Sequence, residues 1–397
     1  MPRAEAAHFA QPAAQLISTR TDMRASHFLS SVLLAGSLVG CSLVPEPELP
    51  PPPSPYTDLP GRTSTLSGVV YDPEAFFFLL ANWPSDPEHP EEDPPPALYD
   101  GVPFLLYSSV PQAGISVLAP DDSVGGSTEG SFTGSWQLSG VPSSNTVAYS
   151  ARATPPGREF VLGEAYMDPE APPPPVTAPM GTYYPTRTLR PIVPHSTLCQ
   201  LQVATMVGDA GALTAIANTM TDMGTPTTVA DLMDTTKTAG VALLWVYAPS
   251  YELDIFTIPA DSIAAETNMG QLFAIEWAPP DAGIPGQSPM GYMAIPDAGA
   301  MSSLGYYAVV LPPKSEVTEP LQVTFNDTVI LEEGDFPRPW VIPPVVEEIR
   351  EGVSFGRVFS FPGGEPPPED ETAEPVPFPE SNSQCYPEAP GGMRRRG

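Results

Sequence analysis

The sequence predicts a mainly β protein: two β-sandwich-like modules with a short helical segment and disordered proline-rich linkers. The chain holds 56 prolines and 32 glycines in 397 residues, well above the ~12 per cent usual for the pair, which disfavours long helices. Its hydrophobic fraction of 41 per cent still allows buried cores. Apolar residues come in short alternating or continuous runs separated by Gly, Pro, Asn and Ser, the pattern of strands joined by turns.

Residues 1–40 read as a signal region. Arg24 follows Met23, and Phe28 to Val39, FLSSVLLAGSLV, then gives about a dozen mostly apolar residues. That is the length of a signal core and short of the ~20 residues that span a bilayer. The run closes on Leu38-Val39-Gly40-Cys41. Residues 1–22 lack an apolar block and carry Glu5 and Asp22, so translation is expected to start at Met23. The stretch resembles the lipobox of bacterial lipoproteins. This resemblance implies that the Cys41 thiol takes diacylglycerol, that the chain is cut before it, and that the new amino terminus can take a further acyl chain. Two or three chains, at ~0.8 kcal/mol per buried methylene, hold a protein on a bilayer where one does not. Ser42, in place of Asp, resembles the outer-membrane default, with the protein facing either the periplasm or the surface.

Residues 41–61 form a tether. Eight prolines between Ser42 and Gly61 favour a polyproline II spacer of ~3 Å per residue, about 50 to 60 Å in reach.

The first module is expected over 62–195. TLSGVVYD from Thr65, AGISVLAPDD from Ala113, SFTGSWQLSGV from Ser131 and TVAYSARA from Thr146 read as four strands, with TYYPTRTLRPIV from Thr182 as a terminal one. Residues 84–96, PSDPEHPEEDPPP, are too acidic and proline-rich to pack and read as a disordered insertion. Three sets of residues give this stretch a family resemblance: Gly68, Val70 and Asp72; Ala113, Gly114 and Val117; and Gly130, Phe132, Trp136, Leu138, Val141 and Pro142. They make it similar to the carboxypeptidase regulatory-like, or transthyretin-like, module of secreted bacterial proteins. It departs from that family in the long link from Asp72 to Pro111 and in lacking Gly-x-Tyr after Pro142. The resemblance implies a sandwich with a non-catalytic, accessory role.

A second β-rich domain is expected over 196–362, opening on a helical segment. Leu213, Ile216, Ala217, Met220 and Met223 recur at helical spacing over 210–223, with Asp209 placed to cap the start and Gly224 and Pro226 to end it. Thr228 and Asp231 open a second short turn running to Lys237. GVALLWVYA from Gly240 is a continuous apolar run suited to a strand buried on both faces. Further strands are read at 255–259, 271–278, 305–311, 321–331 and 354–361. Ala239, Gly240 and Leu243 match Ala113, Gly114 and Val117, the trace of a repeat. Residues 363–397 return to acidic, proline-rich text and read as a disordered tail.

Charge and chemistry narrow the function. The net charge is −31. Removing residues 1–40 takes away three arginines and two acids and leaves −32, which repels nucleic acid. With Cys41 acylated, Cys199 and Cys385 are the remaining cysteines, and in an oxidising compartment they are a candidate disulfide. His89 and Glu92 form an H-x-x-E string, but Pro90 and the flanking prolines prevent a fixed metal geometry. No serine-hydrolase elbow, H-E-x-x-H or P-loop string occurs. Met220 with Met223, and Met290 with Met293, have a spacing that soft Cu(I) sites use, though helix packing also explains the first pair. Asp121-Asp122 and Glu332-Glu333-Asp335 lack the spacing of a calcium loop and read as solvated turns. Trp136 and Trp245 fall within strand patterns and are expected in the core. No cofactor, no metal site and no catalytic residue is expected. The sequence therefore reads as an exported, lipid-anchored envelope protein whose partners are the bilayer, through Cys41, and an envelope protein or polysaccharide. The alternatives are an enzyme of unrecognised type or a periplasmic copper-handling protein.

Overall fold

The computed structural model describes residues 61–84, 102–143, 148–167, 174–192, 194, 199–248, 260–296, 301–329, 338–348 and 351–363. The signal region, the tether up to residue 60, residues 85–100, the strand expected at 255–259 and the tail beyond 363 lie outside them.

In chain order, β1 (Thr63–Tyr71) leads through Asp72 into α1 (Pro73–Asn82) and α2 (Val102–Tyr107), followed by β2 (Gly114–Leu118), β3 (Val124–Glu129), β4 (Ser135–Pro142) and β5 (Tyr149–Thr154). Next come β6 (Tyr183–Tyr184), β7 (Thr186–Ile192), β8 (Cys199–Thr205) and β9 (Val207–Gly208), then α3 (Ala212–Asp222), α4 (Val229–Leu232) and β10 (Val241–Tyr247). The chain continues with β11 (Ile263–Thr267), β12 (Gln271–Trp277), β13 (Tyr292–Pro296), β14 (Met301–Ser302), β15 (Tyr306–Val310) and β16 (Leu321–Asp327). It closes with β17 (Trp340–Val341), β18 (Val345–Glu347), β19 (Val353–Phe359) and β20 (Phe361–Pro362). The protein is mainly β, with few and short helices. No helix among the described residues is long and apolar enough to cross a membrane.

Local chemistry explains the helix starts. Asp72 caps α1, its side chain accepting the backbone N–H groups of Glu74 (2.8 Å) and Ala75 (3.1 Å), while Pro73 sets φ at the first helical position. Thr228 and Asp231 form a reciprocal capping box on α4, in the turn the sequence predicts. The helix at 210–223 is present as α3, but Asp209 does not cap it. The Asp209 carboxylate instead accepts Thr182 N–H at 2.7 Å, and the N-cap is Gly211, which has no side chain to offer.

A nine-stranded sheet runs in the order β13-β12-β15-β10-β19-β7-β5-β2-β3. Its pairs are antiparallel except β10 with β19 and β19 with β7. A three-stranded sheet, β4-β1-β8, and a four-stranded sheet, β14-β11-β16-β18, complete the larger layers. The side-chain period of two along β10 shows how they stack. Val241, Leu243, Trp245 and Tyr247 join a core shared with β1, β4, α1 and α3, whereas Ala242, Leu244 and Val246 join a core shared with β11 and β16. One face of the long sheet is thus covered by the three-stranded sheet and the helices, the other by the four-stranded sheet. These are sandwich packings built on a common central layer. All seven residues of β10 are buried, as the unbroken apolar run predicts. Gly356 on β19 lets the Leu244 and Leu189 side chains close over it, since a Cβ there would lie 2.8 Å from Leu244 Cδ2.

Strands on both sides of residue 195 share this sheet. β7 pairs in parallel with β19, bringing Thr186 opposite Val353, and β8 pairs in parallel with β1, bringing Cys199 opposite Thr65. The buried hydroxyls of Thr188 and Thr205, 3.0 Å apart, tie β7 to β8 across the layers.

Trp245 is the largest fully buried side chain. It stacks on Tyr306 with centroids 4.2 Å apart, packs against Phe77 of α1 at 5.4 Å and donates its indole N–H to Leu304 O at 2.9 Å. Trp245→Ala is expected to cost about 3–5 kcal/mol of unfolding free energy, measured by urea denaturation of the full chain.

Candidate functional site

The structure disperses the residues that the sequence singles out. Leu38, Val39, Gly40, Cys41, Cys385, His89, Glu92, Glu332, Glu333 and Asp335 lie outside the described residues, and Cys199 begins β8. The Asp121 carboxylate accepts the backbone N–H and hydroxyl of Ser123 and so closes a turn, while Asp122, at φ 65°, pairs with Arg187. Met290 and Met223 lie at opposite ends of α3. Met290 donates its N–H to Ala210 O at the start of α3, and Met223 caps the other end, roughly 16 Å away at 1.5 Å per residue. Trp136 and Trp245 are core residues, as expected; Trp83, Trp277 and Trp340 are half-buried.

A different set of polar groups converges in the interior. Asp72 and Glu74, one on either side of Pro73 at the start of α1, are both fully buried. Besides its two capping bonds, Asp72 accepts the Tyr183 hydroxyl on Oδ2 at 2.8 Å, so both of its oxygens are occupied. Glu74 reaches across to the second half of the chain. Its Oε1 accepts the Tyr306 hydroxyl at 2.6 Å and the Ala212 backbone N–H at 3.0 Å, and its backbone carbonyl accepts the Tyr292 hydroxyl at 3.1 Å. The Ala212 N–H is the first of α3, so Glu74 caps in trans a helix whose own N-cap is a glycine. A Cβ at Gly211 would overlap Glu74 Oε2, so a side chain there would displace the Glu74 carboxyl.

An aromatic wall seals the pair. Tyr306 stacks on Trp245, Tyr292 meets Trp245 edge-on at 6.3 Å, and Phe77 meets Trp277 edge-on at 5.7 Å. Among the described residues no Lys, Arg or His bonds either carboxyl, and Glu74 Oε2 has no hydrogen-bond partner. Both lysines of the chain are spent elsewhere, Lys237 on Asp231 and Lys314 on Glu351, at exposed positions.

Burial without a cation disfavours the charged form of a carboxylate. It raises Glu74 to about 8, with the neighbouring Asp72 charge adding to the effect and the Tyr306 and Ala212 bonds opposing it. Burial likewise raises Asp72, to about 6, against its three donors. The hydroxyls of Tyr183, Tyr292 and Tyr306 are pushed well above their ordinary range, first by burial and then by the carboxyls, so they act as donors at all ordinary pH. The arrangement can hold a proton and fix two helix starts; with no exposed edge, it offers nothing to a substrate. The sequence signal for it was the Asp-Pro-Glu string, a helix start whose second acid belongs to the first turn.

No family model matches the chain, and no curated protein matches it. Among solved structures it is similar to the Bacillus anthracis TIE protein, at 9 per cent identity and TM-score 0.18, covering 75 per cent of this chain and 34 per cent of that one. The chain thus spans about a third of the length of that protein. It is also similar to the shaft pilin SpaA from Lactobacillus rhamnosus GG, at 9 per cent identity and TM-score 0.18, covering 77 per cent of this chain and all of that one. Likenesses at these TM-scores assign neither fold nor function.

Gly211→Ala is expected to destabilise the protein by about 1–3 kcal/mol through overpacking against Glu74, read as a lowered urea midpoint with the slope unchanged.

Proposed function

We propose that this chain is an exported, lipid-anchored protein of the cell envelope, held at the outer membrane by acylated Cys41, whose β-sandwich modules bind or build rather than catalyse. The observation that carries this reading is Leu38-Val39-Gly40-Cys41 closing an apolar run of signal length directly before a proline-rich spacer. That spacer would hold the folded part clear of headgroups that its strong negative charge repels. The accessory-module resemblance supports a non-catalytic role. Some of its motif residues are neighbours in the fold: Gly68 pairs with Trp136, and Gly130 donates its N–H to Ala113 O at 2.7 Å. Cys199, at the start of β8, is proposed to pair with Cys385 and pin the acidic tail beside β1.

Intact mass and membrane fractionation of the expressed protein, beside a Cys41→Ser variant, test the anchor. The wild type is expected to lose the residues before Cys41, residues 23–40 where translation starts at Met23, to gain acyl mass and to float with outer membrane. The variant is expected to do neither. Equal solubility and equal mass shifts in the two proteins would overturn the reading.

A further inference from the structure

The two buried carboxyls differ in what surrounds them. Asp72 has both oxygens engaged by three donors, two of them backbone N–H groups of its own helix. Glu74 has one oxygen engaged and the other buried without a partner among the described residues. Two carboxyls this close do not both ionise readily in a dry interior, and the better-solvated one keeps the charge. The groups facing them are Tyr183 of β6, Tyr292 of β13, Tyr306 of β15 and, beyond Tyr183, the Asp209 carboxylate before α3. None of these supplies a positive charge. The favourable fields are the start of α1, in whose first turn Glu74 lies, and the start of α3, whose first N–H points at Glu74 Oε1.

We propose that Glu74 is a proton-operated latch: as the neutral acid it closes the junction between α1, α3 and β15, and its ionisation loosens that junction. Loss of the proton puts charge on a carboxyl of which one oxygen has no donor among the described residues, next to Asp72 and in van der Waals reach of the Gly211 backbone. Relief requires α3 to move away from α1 or water to enter between them. Either opens the contact through which residues 72–74 hold the second half of the chain.

The direction with pH follows from linkage. Glu74 is raised to about 8 in the folded protein from 4.5, so between these values the folded state binds more protons than the unfolded one, and stability falls as pH rises. Exposed carboxylates are fully ionised by pH 6 and add no slope above it. Asp72, raised to about 6, and the two histidines after residue 40, His89 and His195, are the remaining groups that titrate near this range.

The test is urea unfolding of the full chain between pH 6 and pH 9, for wild type and E74Q, with difference infrared spectra of the wild type over the same range. The wild-type folding constant is expected to fall about fiftyfold from pH 6 to pH 8. E74Q, a neutral isostere, is expected to remove most of that fall and to be the more stable protein at pH 9. At pH 7, where Asp72, raised to about 6, has largely lost its proton, the infrared spectra should show one protonated-carboxyl band that is lost by pH 9 and absent from E74Q. A wild-type profile that is flat from pH 6 to pH 8, or one that E74Q leaves unchanged, overturns the latch. If E74Q does not fold, the wild-type band decides alone: its absence at pH 7, above the Asp72 titration, overturns the proposal, and its loss between pH 7 and pH 9 supports it.

Discussion

Two carboxyl groups buried without a cation are the constraint on which the rest of this structure turns. An isolated buried carboxylate is costly, so every group around the pair is arranged to donate or to exclude water. Tyr183, Tyr292 and Tyr306 each place a hydroxyl on the Asp72–Glu74 segment from a different strand, and α3 aims its first N–H at Glu74. The partners of Glu74 come from 138 to 232 residues away in sequence. Satisfying the Glu74 side chain therefore fixes the start of α3 and β15 against the start of α1, and the Glu74 backbone carbonyl adds β13 through Tyr292.

The same residues join the hydrogen-bonded network to the apolar core. Tyr306 donates to Glu74 at its hydroxyl and stacks on Trp245 through its ring, and Trp245 lies at the centre of β10. β10 in turn is buried on both faces and sits between β15 and β19 in the long sheet. The layers on its two faces draw on separate apolar clusters, one reaching β1 and β4, the other β11 and β16. Disturbing the junction thus reaches both sandwich packings through one strand, because neither layer closes without it.

What the sequence revealed follows from how local each signal is. The unbroken run at 241–247 could only be a strand covered twice, and Thr228 with Asp231 announced their capping box within four residues. The apolar text at 76–80, FFFLL, has no polar face and gave no helical period, so α1 went unread although Asp72-Pro73-Glu74 is a helix start. Asp209 stood where a cap belongs, yet its carboxylate bonds to Thr182, and the acceptor that serves α3 comes from Glu74. Neither exchange can be seen in a local window. The strands β3, β11 and β13 were missed for a related reason: VGGSTE, IAAET and YMAIP are short, contain Gly, Ala or Pro, and are strands by virtue of the neighbours they pair with. The shared central sheet was hidden too, since the pairing of β7 with β19 joins segments that composition places in different modules.

The measurement that bears most directly on this organisation is guanidinium unfolding of the full chain followed at once by tryptophan fluorescence and far-ultraviolet circular dichroism. Trp136 and Trp245 both lie in the core that β10 shares with β1 and β4, so the fluorescence reports mainly that packing, while the dichroism reports all strands together, those of β11 and β16 included. One coincident transition is predicted, because the junction at Glu74 and the strand β10 bind both packings into a single cooperative unit. Two separated transitions, with the tryptophan signal lost while much of the strand dichroism persists, would contradict it.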